Sequence, residues 1–294
     1  MMRRLFSVLV ATALAVAVPS AARALPADAP PVAVSNETGW YLALGDSLAN
    51  GYLHGSGDHE TEGYVGHVLE MVQQDDPKTK LVNLACSGET TASMVDGGKC
   101  AYDEGSQLAQ AVEFLRAHGR FTRLVTIDIG GNDIAGCGFI GLPKWCTDAG
   151  KATIAANLPT ILGALRAAAG PGVQIVVLNY YDPFLALWLR DTPDSTADDV
   201  YRTLAVYSVS VLGDVNAEIA GAAALPAVDA DVADVATVFH TGDFTPQVPL
   251  PGYGTVPTNV AQICILTTMC TYSDFHANPA GYAVMAEAVR PLLD

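Results

Sequence analysis

Ser47 stands at the end of a short apolar segment, a setting that suits a nucleophile. The run Tyr41–Leu44 leads into Gly45-Asp46-Ser47-Leu48, so an apolar strand is predicted to end abruptly in a turn of small residues. An α/β enzyme places a nucleophilic serine at such a strand end, facing the start of a helix. The alternative is that Asp46 and Ser47 only cap a helix, because both residue types are favoured at N-caps. A base and an oxyanion site elsewhere in the chain would favour the nucleophile.

Two later strand ends carry groups that can stabilise a developing oxyanion. Ser87-Gly88 follows the apolar segment 80–85, and Gly130-Gly131-Asn132-Asp133 follows the segment 124–129. A glycine offers an unobstructed backbone amide and an asparagine offers a side-chain amide, and both serve as oxyanion donors in enzymes. Each also has a structural explanation, since Gly88 can simply permit a turn and Asn132 can cap one.

The candidate base is His276, near the C-terminus. Asn278-Pro279 predicts a helix start, because Asn is a favoured N-cap and Pro is favoured at the first helical position. His276 therefore lies in the loop immediately before the last predicted helix. A histidine at the same edge of a sheet can reach Ser47 and act as a general base. Taken alone, a surface loop histidine is the simpler reading.

An alternation of strands and helices positions these residues. The predicted strands are 41–44, 80–85, 124–129, 173–179 and 235–239, and the predicted helices are 64–74, 106–118, 153–169, 197–224 and 279–293. The fourth strand is almost continuously apolar, as expected when both of its faces are buried. This order predicts one α/β domain with three α/β/α layers and a mostly parallel five-stranded sheet, whose strands end at a common edge.

The first 24 residues have the composition of a secretory signal peptide. Arg3-Arg4 precedes the 14-residue apolar run 5–18, and the segment ends in Ala22-Arg23-Ala24. The run is shorter than the ~20 residues that cross a bilayer, which argues against an uncleaved anchor, and no later segment is long and uncharged enough to span one. We therefore expect a signal peptide at 1–24, a loose leader at 25–39, a folded domain at 40–294, and an exported protein without stable membrane insertion.

The charge of the chain argues against one class of partner. The formal net charge is −16 at pH 7, and cleavage after Ala24 would remove three arginines and leave −19. A chain this acidic is repelled by nucleic acids and by anionic membrane surfaces. We expect neither as a partner.

Six cysteines, at positions 86, 100, 137, 146, 264 and 270, indicate disulfides in an exported chain. Six cysteines permit fifteen pairings, and the sequence alone does not choose among them. Their order in three neighbouring couples suggests Cys86–Cys100, Cys137–Cys146 and Cys264–Cys270. No Cys-x-x-Cys pair occurs and the six histidines are scattered, so a metal site is not indicated.

Four blocks together resemble the SGNH (GDSL-type) hydrolase family: Gly45-Asp46-Ser47-Leu48, Gly88, Gly130-x-Asn132-Asp133, and His276 before a helix. The likeness extends from about Trp40 to the end of the chain, and the joint occurrence of the blocks at strand ends is far more specific than any one of them. The resemblance implies a flavodoxin-like α/β/α fold and ester hydrolysis with no metal or organic cofactor. The signal peptide and the cysteine couples are similar to those of the secreted actinobacterial esterases and lipases of this family.

The resemblance also implies roles for four residues. Ser47 would be the nucleophile, and its amide, together with Gly88 and Asn132, would form the oxyanion hole. His276 would be the general base and then the acid that protonates the leaving alcohol.

One position departs from the family pattern. The family usually has Asp three residues before the histidine, whereas this chain has Ser273 there and Asp274 one residue closer. Either Asp274 orients His276, or a backbone carbonyl near Ser273 does so and the site is a dyad. Asp274 is the candidate third member.

The expected substrate is a small-molecule or lipid carboxylic ester, and the expected protein is a secreted monomer. The apolar segment Phe184–Leu189, just after the fourth strand, either lines an acyl pocket or packs in the core. Two other functions stay open. One is a carbohydrate esterase that removes acetyl groups, and the other is a non-catalytic binding module, which the missing Asp at position 273 would allow.

Competing signals are weaker. Gly136–Gly141 has the spacing of a dinucleotide fingerprint, but we expect it in a loop rather than at a helix start, which phosphate binding requires. No Gly-x-Ser-x-Gly elbow occurs. His54 and His59, in the loop after Ser47, can line the site, although solvated side chains are the simpler expectation.

Overall fold

The computed structural model describes residues 38–190 and 195–293, with the backbone alone for residues 195–199. The predicted signal peptide at 1–24 lies outside these ranges, as does the predicted leader except for its last two residues. The described residues include all five predicted strands.

The centre of the fold is a sheet of five parallel strands in the order β2-β1-β3-β4-β5. The strands are β1 (Trp40–Gly45), β2 (Lys80–Asn83), β3 (Thr122–Asp128), β4 (Gln174–Leu178) and β5 (Asp231–Ala233). The inner strands β1, β3 and β4 are buried along almost their whole length, as parallel strands covered on both faces must be. The prediction of a three-layer α/β fold with a five-stranded sheet is confirmed. The strand order reverses between β1 and β3, where such sheets bind ligands.

Helices cover the sheet and form two groups by their mutual contacts. The helices are α1 (Tyr64–Asp75), α2 (Thr91–Asp96), α3 (Gln107–His118), α4 (Gly131–Gly138), α5 (Lys144–Ala169), α6 (Ser195–Ala223), α7 (Val235–Val238), α8 (Thr258–Leu266), α9 (Met269–Tyr272) and α10 (Pro279–Val289). Short 3-10 helices occupy 119–121, 183–189 and 290–292, and a hairpin joins β6 (Gln247–Leu250) to β7 (Gly254–Pro257). Helices α2, α3, α4 and α6 contact α5, whereas α1, α7 and α8 contact α10. These two groups are the outer layers.

The prediction of a strand at Val235–Phe239 is wrong. That segment forms α7, and the fifth strand is the shorter Asp231–Ala233 just before it. The β-branched residues favour a strand, but the Asp234 side chain accepts a hydrogen bond from the Thr237 amide at 3.1 Å and caps a helical turn. The local cap and the packing of α7 against α10 outweigh the strand propensity.

Within the described ranges, one helix is long and apolar enough to cross a membrane, judged by length and composition alone. It is α5, with a mean hydropathy of 1.2 over its most apolar window, whereas we expected no such segment after residue 24. Ile154, Leu158 and Ile161 on one face of α5 are fully buried in the core. Core helices of globular domains meet the same two criteria.

Three disulfides join Cys86 to Cys100, Cys137 to Cys146, and Cys264 to Cys270. These are the couples that the order of the cysteines suggests. Each closes a short loop, with sequence separations of 14, 9 and 6 residues. Two of them border the edge of the sheet where the strands end, because Cys86 follows β2 and Cys137 lies in α4, which follows β3.

Candidate active site

A glycine at the end of β1 sets the position of Ser47. Gly45 has φ +133°, and a Cβ atom there would lie 2.2 Å from the Asp128 carbonyl oxygen, so no other residue fits without displacing β3. Gln107 holds this glycine by accepting from its amide at 2.7 Å and donating to its carbonyl at 3.0 Å. No helix begins at Ser47, since the next helix starts at Tyr64. The helix-capping alternative therefore has no helix to cap.

Ser47, His276 and Asp274 form one hydrogen-bonded chain. The Ser47 hydroxyl lies 2.8 Å from Nε2 of His276, and Nδ1 of His276 lies 2.5 Å from Oδ1 of Asp274. The same Asp274 oxygen also accepts from the His276 backbone amide at 3.1 Å. Serine, imidazole and carboxylate in this order are able to activate the hydroxyl as a nucleophile. Of the two alternatives for orienting His276, the structure places the Asp274 carboxylate in contact with the ring.

Asp274 is ionised in this setting. Partial burial raises the pKa of its carboxyl, but the hydrogen bonds from the backbone amide and ring of His276 and from His54 together hold the pKa below its ordinary value. A carboxylate at this point favours the Nδ1–H tautomer of His276. The unprotonated Nε2 then faces the Ser47 hydroxyl, as a general base must.

The loop after Ser47 supplies two contacts to this hydrogen-bonded chain. The one from Tyr52 was not indicated by the sequence, whereas His54 was named there as a residue able to line the site. The ring of Tyr52 lies on that of His276 with the centroids 4.2 Å apart, and Nδ1 of His54 lies 2.7 Å from Oδ2 of Asp274. His59 instead contacts Ser56 at 2.6 Å. Neither spacing nor periodicity marks loop residues of this kind, because their role depends on which distant segment they meet.

Gly88 and Asn132 lie at the neighbouring strand ends. Gly88 has φ +81°, in the left-handed region that favours glycine, and a Cβ there would also meet the Lys99 side chain at 2.6 Å. The Asn132 amide nitrogen donates to the Glu89 carbonyl at 3.0 Å, which leaves its second N–H free to donate. Within the described residues, the backbone amides of Ser47 and Gly88 donate to no protein acceptor. The three donors expected for an oxyanion are thus available.

A buried pair of carboxyl groups lies beneath the turn that carries the serine. Asp46 accepts hydrogen bonds from the Leu48 amide at 2.9 Å and the Tyr180 hydroxyl at 3.0 Å, and the Tyr64 hydroxyl donates to Asp128 at 2.6 Å. Burial raises the pKa of both groups, and the adjacent Asp46 carboxylate raises that of Asp128 well above its usual range. Of the two carboxyls, Asp128 therefore binds a proton more readily, and a proton there removes the repulsion that two ionised groups would exert.

An apolar cavity of about 70 Å³, counted as the space open to the centre of a water molecule, opens beside Ser47. Its lining includes Asn132 and the side chains of Ile134, Leu142, Tyr181, Phe184, Val211 and Leu212. Trp188 does not line it and instead packs near Phe244, with the ring centroids 5.9 Å apart. Of the apolar segment 184–189, only Phe184 reaches the cavity.

Asp182 is a further buried carboxyl, and it lies in the wall of this cavity. It accepts hydrogen bonds from the Phe184 amide at 2.9 Å and the Ser208 hydroxyl at 2.6 Å, and so joins the 3-10 helix 183–189 to α6. Burial raises its pKa from 3.8 to about 7, although both hydrogen bonds oppose the shift. The folded protein therefore retains a proton that the unfolded chain has lost between about pH 4 and pH 7.

This shift predicts a pH-dependent effect of Asp182→Asn on stability. The wild-type free energy of unfolding should fall, relative to that of the variant, by roughly 3–4 kcal/mol between pH 4 and pH 8, because the folded carboxyl binds its proton more tightly than the unfolded one. Asn fits the site, since its oxygen can accept from the Phe184 amide and its nitrogen can donate to the Ser208 hydroxyl, which then directs its own proton to the Ala205 carbonyl 2.9 Å away. Urea unfolding of both proteins at several pH values measures the difference. A difference that is constant with pH would contradict the expectation.

Only part of the Gly136–Gly141 segment is a loop, whereas we expected a loop over its whole length. Gly136, Cys137 and Gly138 form the last turn of α4, and a turn follows. The segment therefore ends a helix instead of opening one, and it lacks the helix N-terminus that phosphate binding requires. In the part of the chain that the structure describes, no group of three His, Cys, Asp or Glu residues is placed to hold a metal ion.

Comparison with known proteins places the chain among hydrolases. The profile of the GDSL-like lipase/acylhydrolase family matches residues 43–284. A lipase from a goat rumen metagenome is 19% identical over 86% of this chain and 97% of the lipase, with a TM-score of 0.56, so the two proteins share a fold. An acetylxylan esterase from Geobacillus stearothermophilus is 18% identical over 86% of this chain and 93% of its own, with a TM-score of 0.44. No curated protein sequence matches the chain significantly.

Proposed function

Because this chain belongs to the GDSL-like lipase/acylhydrolase family, we propose that it is a secreted serine esterase or lipase that hydrolyses carboxylic esters. The single observation that carries the proposal is the hydrogen-bonded chain from the Ser47 hydroxyl through His276 to Asp274. Ser47 is separated from Asp274 and His276 by more than 220 positions in the sequence, and packing alone does not require them to meet. Their order matches the requirements of nucleophilic catalysis.

In the proposed mechanism, the Ser47 hydroxyl oxygen attacks the ester carbonyl while Nε2 of His276 takes its proton. The negative charge on the former carbonyl oxygen is stabilised by the amides of Ser47 and Gly88 and by the Asn132 side chain. His276 then gives the proton to the leaving alcohol as the carbon–oxygen bond breaks, which leaves an acyl group on Ser47. Water attacks the acyl-enzyme with His276 as the base, and the carboxylic acid and the free serine are restored.

The cavity beside Ser47 supports a substrate with an apolar acyl part. Most of its lining is aliphatic and aromatic, which suits an apolar acyl chain better than a sugar. Each methylene that moves from water into such a site contributes about 0.8 kcal/mol. We therefore favour esters of short- to medium-chain fatty acids over acetylated carbohydrates. Three disulfides support an oxidising, extracellular location.

A fluorophosphonate probe followed by peptide mapping tests the proposed reaction. The probe should phosphonylate Ser47 in oxidised wild-type protein and should leave the Ser47→Ala variant unlabelled, because only an activated serine attacks it at a useful rate. Hydrolysis of p-nitrophenyl esters should disappear in the same variant. A correctly oxidised wild-type protein that shows neither labelling nor turnover would instead favour the binding module.

The acyl cavity predicts a chain-length preference that one substitution should change. Wild-type protein should hydrolyse p-nitrophenyl butyrate with a kcat/KM about 10-fold above that for the acetate, since two more methylenes are buried. Val211→Phe places a ring in the cavity, and should abolish this preference while acetate hydrolysis continues. Trp188→Ala is the matched control, because Trp188 does not line the cavity. A preference that is equal in all three proteins would place the acyl group elsewhere.

A further inference from the structure

We propose that His54 is a positioning residue, which holds the Asp274 carboxylate in the orientation that aligns His276. The proposal rests on the function proposed above, and assigns a role in it to a residue of the loop that follows the nucleophile. The complete chain would then be Ser47, His276, Asp274 and His54, with a histidine on each side of the carboxylate.

The two oxygens of Asp274 have different partners. Oδ1 accepts from the amide and the ring of His276, and Oδ2 lies 2.7 Å from Nδ1 of His54. An ionised carboxylate can only accept hydrogen bonds, so Nδ1 of His54 must carry a proton and donate it. The ring of His54 is thereby fixed in one tautomer, or is fully protonated, and in both forms it makes the same contact with Asp274.

Asp274 needs this second contact because of where it stands in the chain. It lies only two residues before His276, and Oδ1 serves both the amide and the ring of that residue. The group can still rotate about its last side-chain bond unless Oδ2 is also held. Within the described residues, His54 is the partner of Oδ2, and the Asp274 side chain is only 13% exposed, so little water competes for it.

His54 is itself held in place from two directions. Its ring is stacked on that of Tyr272 with the centroids 4.2 Å apart and the planes at 15°. A tight backbone turn presents it, because Leu53 and Gly57 exchange hydrogen bonds at 2.8 and 2.9 Å on either side of it. A donor that is already ordered loses little entropy when it binds the carboxylate. The ring is 35% exposed, so it can be replaced without opening the core.

Two substitutions separate hydrogen bonding from packing. His54→Phe keeps a ring on Tyr272 but removes the donor, and should lower kcat for a p-nitrophenyl ester about 10-fold with little change in KM. His54→Asn puts an amide N–H near the position of Nδ1, and should recover most of the lost kcat. Asp243→Ala is the matched control, because it breaks another histidine–carboxylate contact of 2.7 Å, with His240, outside the site. It should leave kcat unchanged.

A measurement that needs no substrate distinguishes failure of this inference from failure of the proposed function. The proton on Nδ1 of His276 should give a downfield NMR signal in wild-type protein, which should shift or broaden in His54→Phe and return in His54→Asn. Wild-type kcat and signal in His54→Phe, or equal impairment in both variants, would overturn the role of the donor. A wild-type protein without turnover but with this pattern of signals would refute ester hydrolysis and leave the positioning role intact.

Discussion

Replacing His276 by alanine is expected to lower kcat/KM for a p-nitrophenyl ester by about 10³–10⁵-fold. Among the described residues, His276 is the only one whose basic nitrogen contacts the Ser47 hydroxyl, and the substitution removes it. Without it, the hydroxyl must attack with its proton still bound, and the leaving alcohol must depart without an acid. Steady-state kinetics of the purified variant measure the loss.

The fold should survive this change, since the hydrogen bonds of the His276 side chain go only to Ser47 and Asp274, within the site. The thermal midpoint of His276→Ala should therefore stay close to that of wild type. His67→Ala, which removes a histidine on α1 beside Glu70, serves as the control and should keep full turnover. Retention of more than a tenth of wild-type kcat/KM in His276→Ala would exclude His276 as the base.

Replacing Asn132 by alanine is expected to lower kcat by about 10²–10³-fold, with a much smaller change in KM. The side-chain N–H is proposed to donate to an oxygen that becomes fully negative only in the transition state, so its loss affects the chemical step most. The backbone amides of Ser47 and Gly88 remain in the variant and should sustain the residual rate. Initial rates over a range of concentrations of one p-nitrophenyl ester measure kcat and KM separately.

Asn132 also donates to the Glu89 carbonyl, so the substitution removes a structural hydrogen bond as well as the oxyanion donor. The two effects must be distinguished. Asn157→Ala is the matched control, since Asn157 donates to Thr91 in the same region but is absent from the cavity lining. That variant should keep kcat within about threefold of wild type. An equal loss in both variants would assign the effect to the support of α2 and not to the oxyanion.

The residues at strand ends were predictable because chain geometry restricts them. Parallel strands end at one edge, so Ser47, Gly88 and Asn132, each just after an apolar run, had to be neighbours in any sheet of this type. Gly45 and Gly88 have positive φ angles that favour glycine, which explains why small residues mark these turns. The strands β1, β3 and β4 were predictable too, because burial of both faces requires nearly continuous apolar residues.

The remaining features depend on contacts between distant segments, which leave no local pattern. The role of His54 arises only when its loop meets Asp274, 220 residues away. The pKa of the Asp182 carboxyl is raised only because the folded protein buries it in the cavity wall. The strand prediction at 235–239 failed because one side-chain cap, from Asp234, outweighed the preference of the apolar residues that follow.

The contact between Ser47 and His276 has a consequence for the time at which the chain becomes reactive. The two residues are 229 positions apart, and synthesis from the N-terminus completes the serine turn long before the base exists. A nascent or truncated chain therefore bears the proposed nucleophile with no partner to deprotonate it. Esterase activity would be acquired in a single late step, when the last loop and α10 dock against α1. Turnover would then report complete folding more strictly than any measure of helix content.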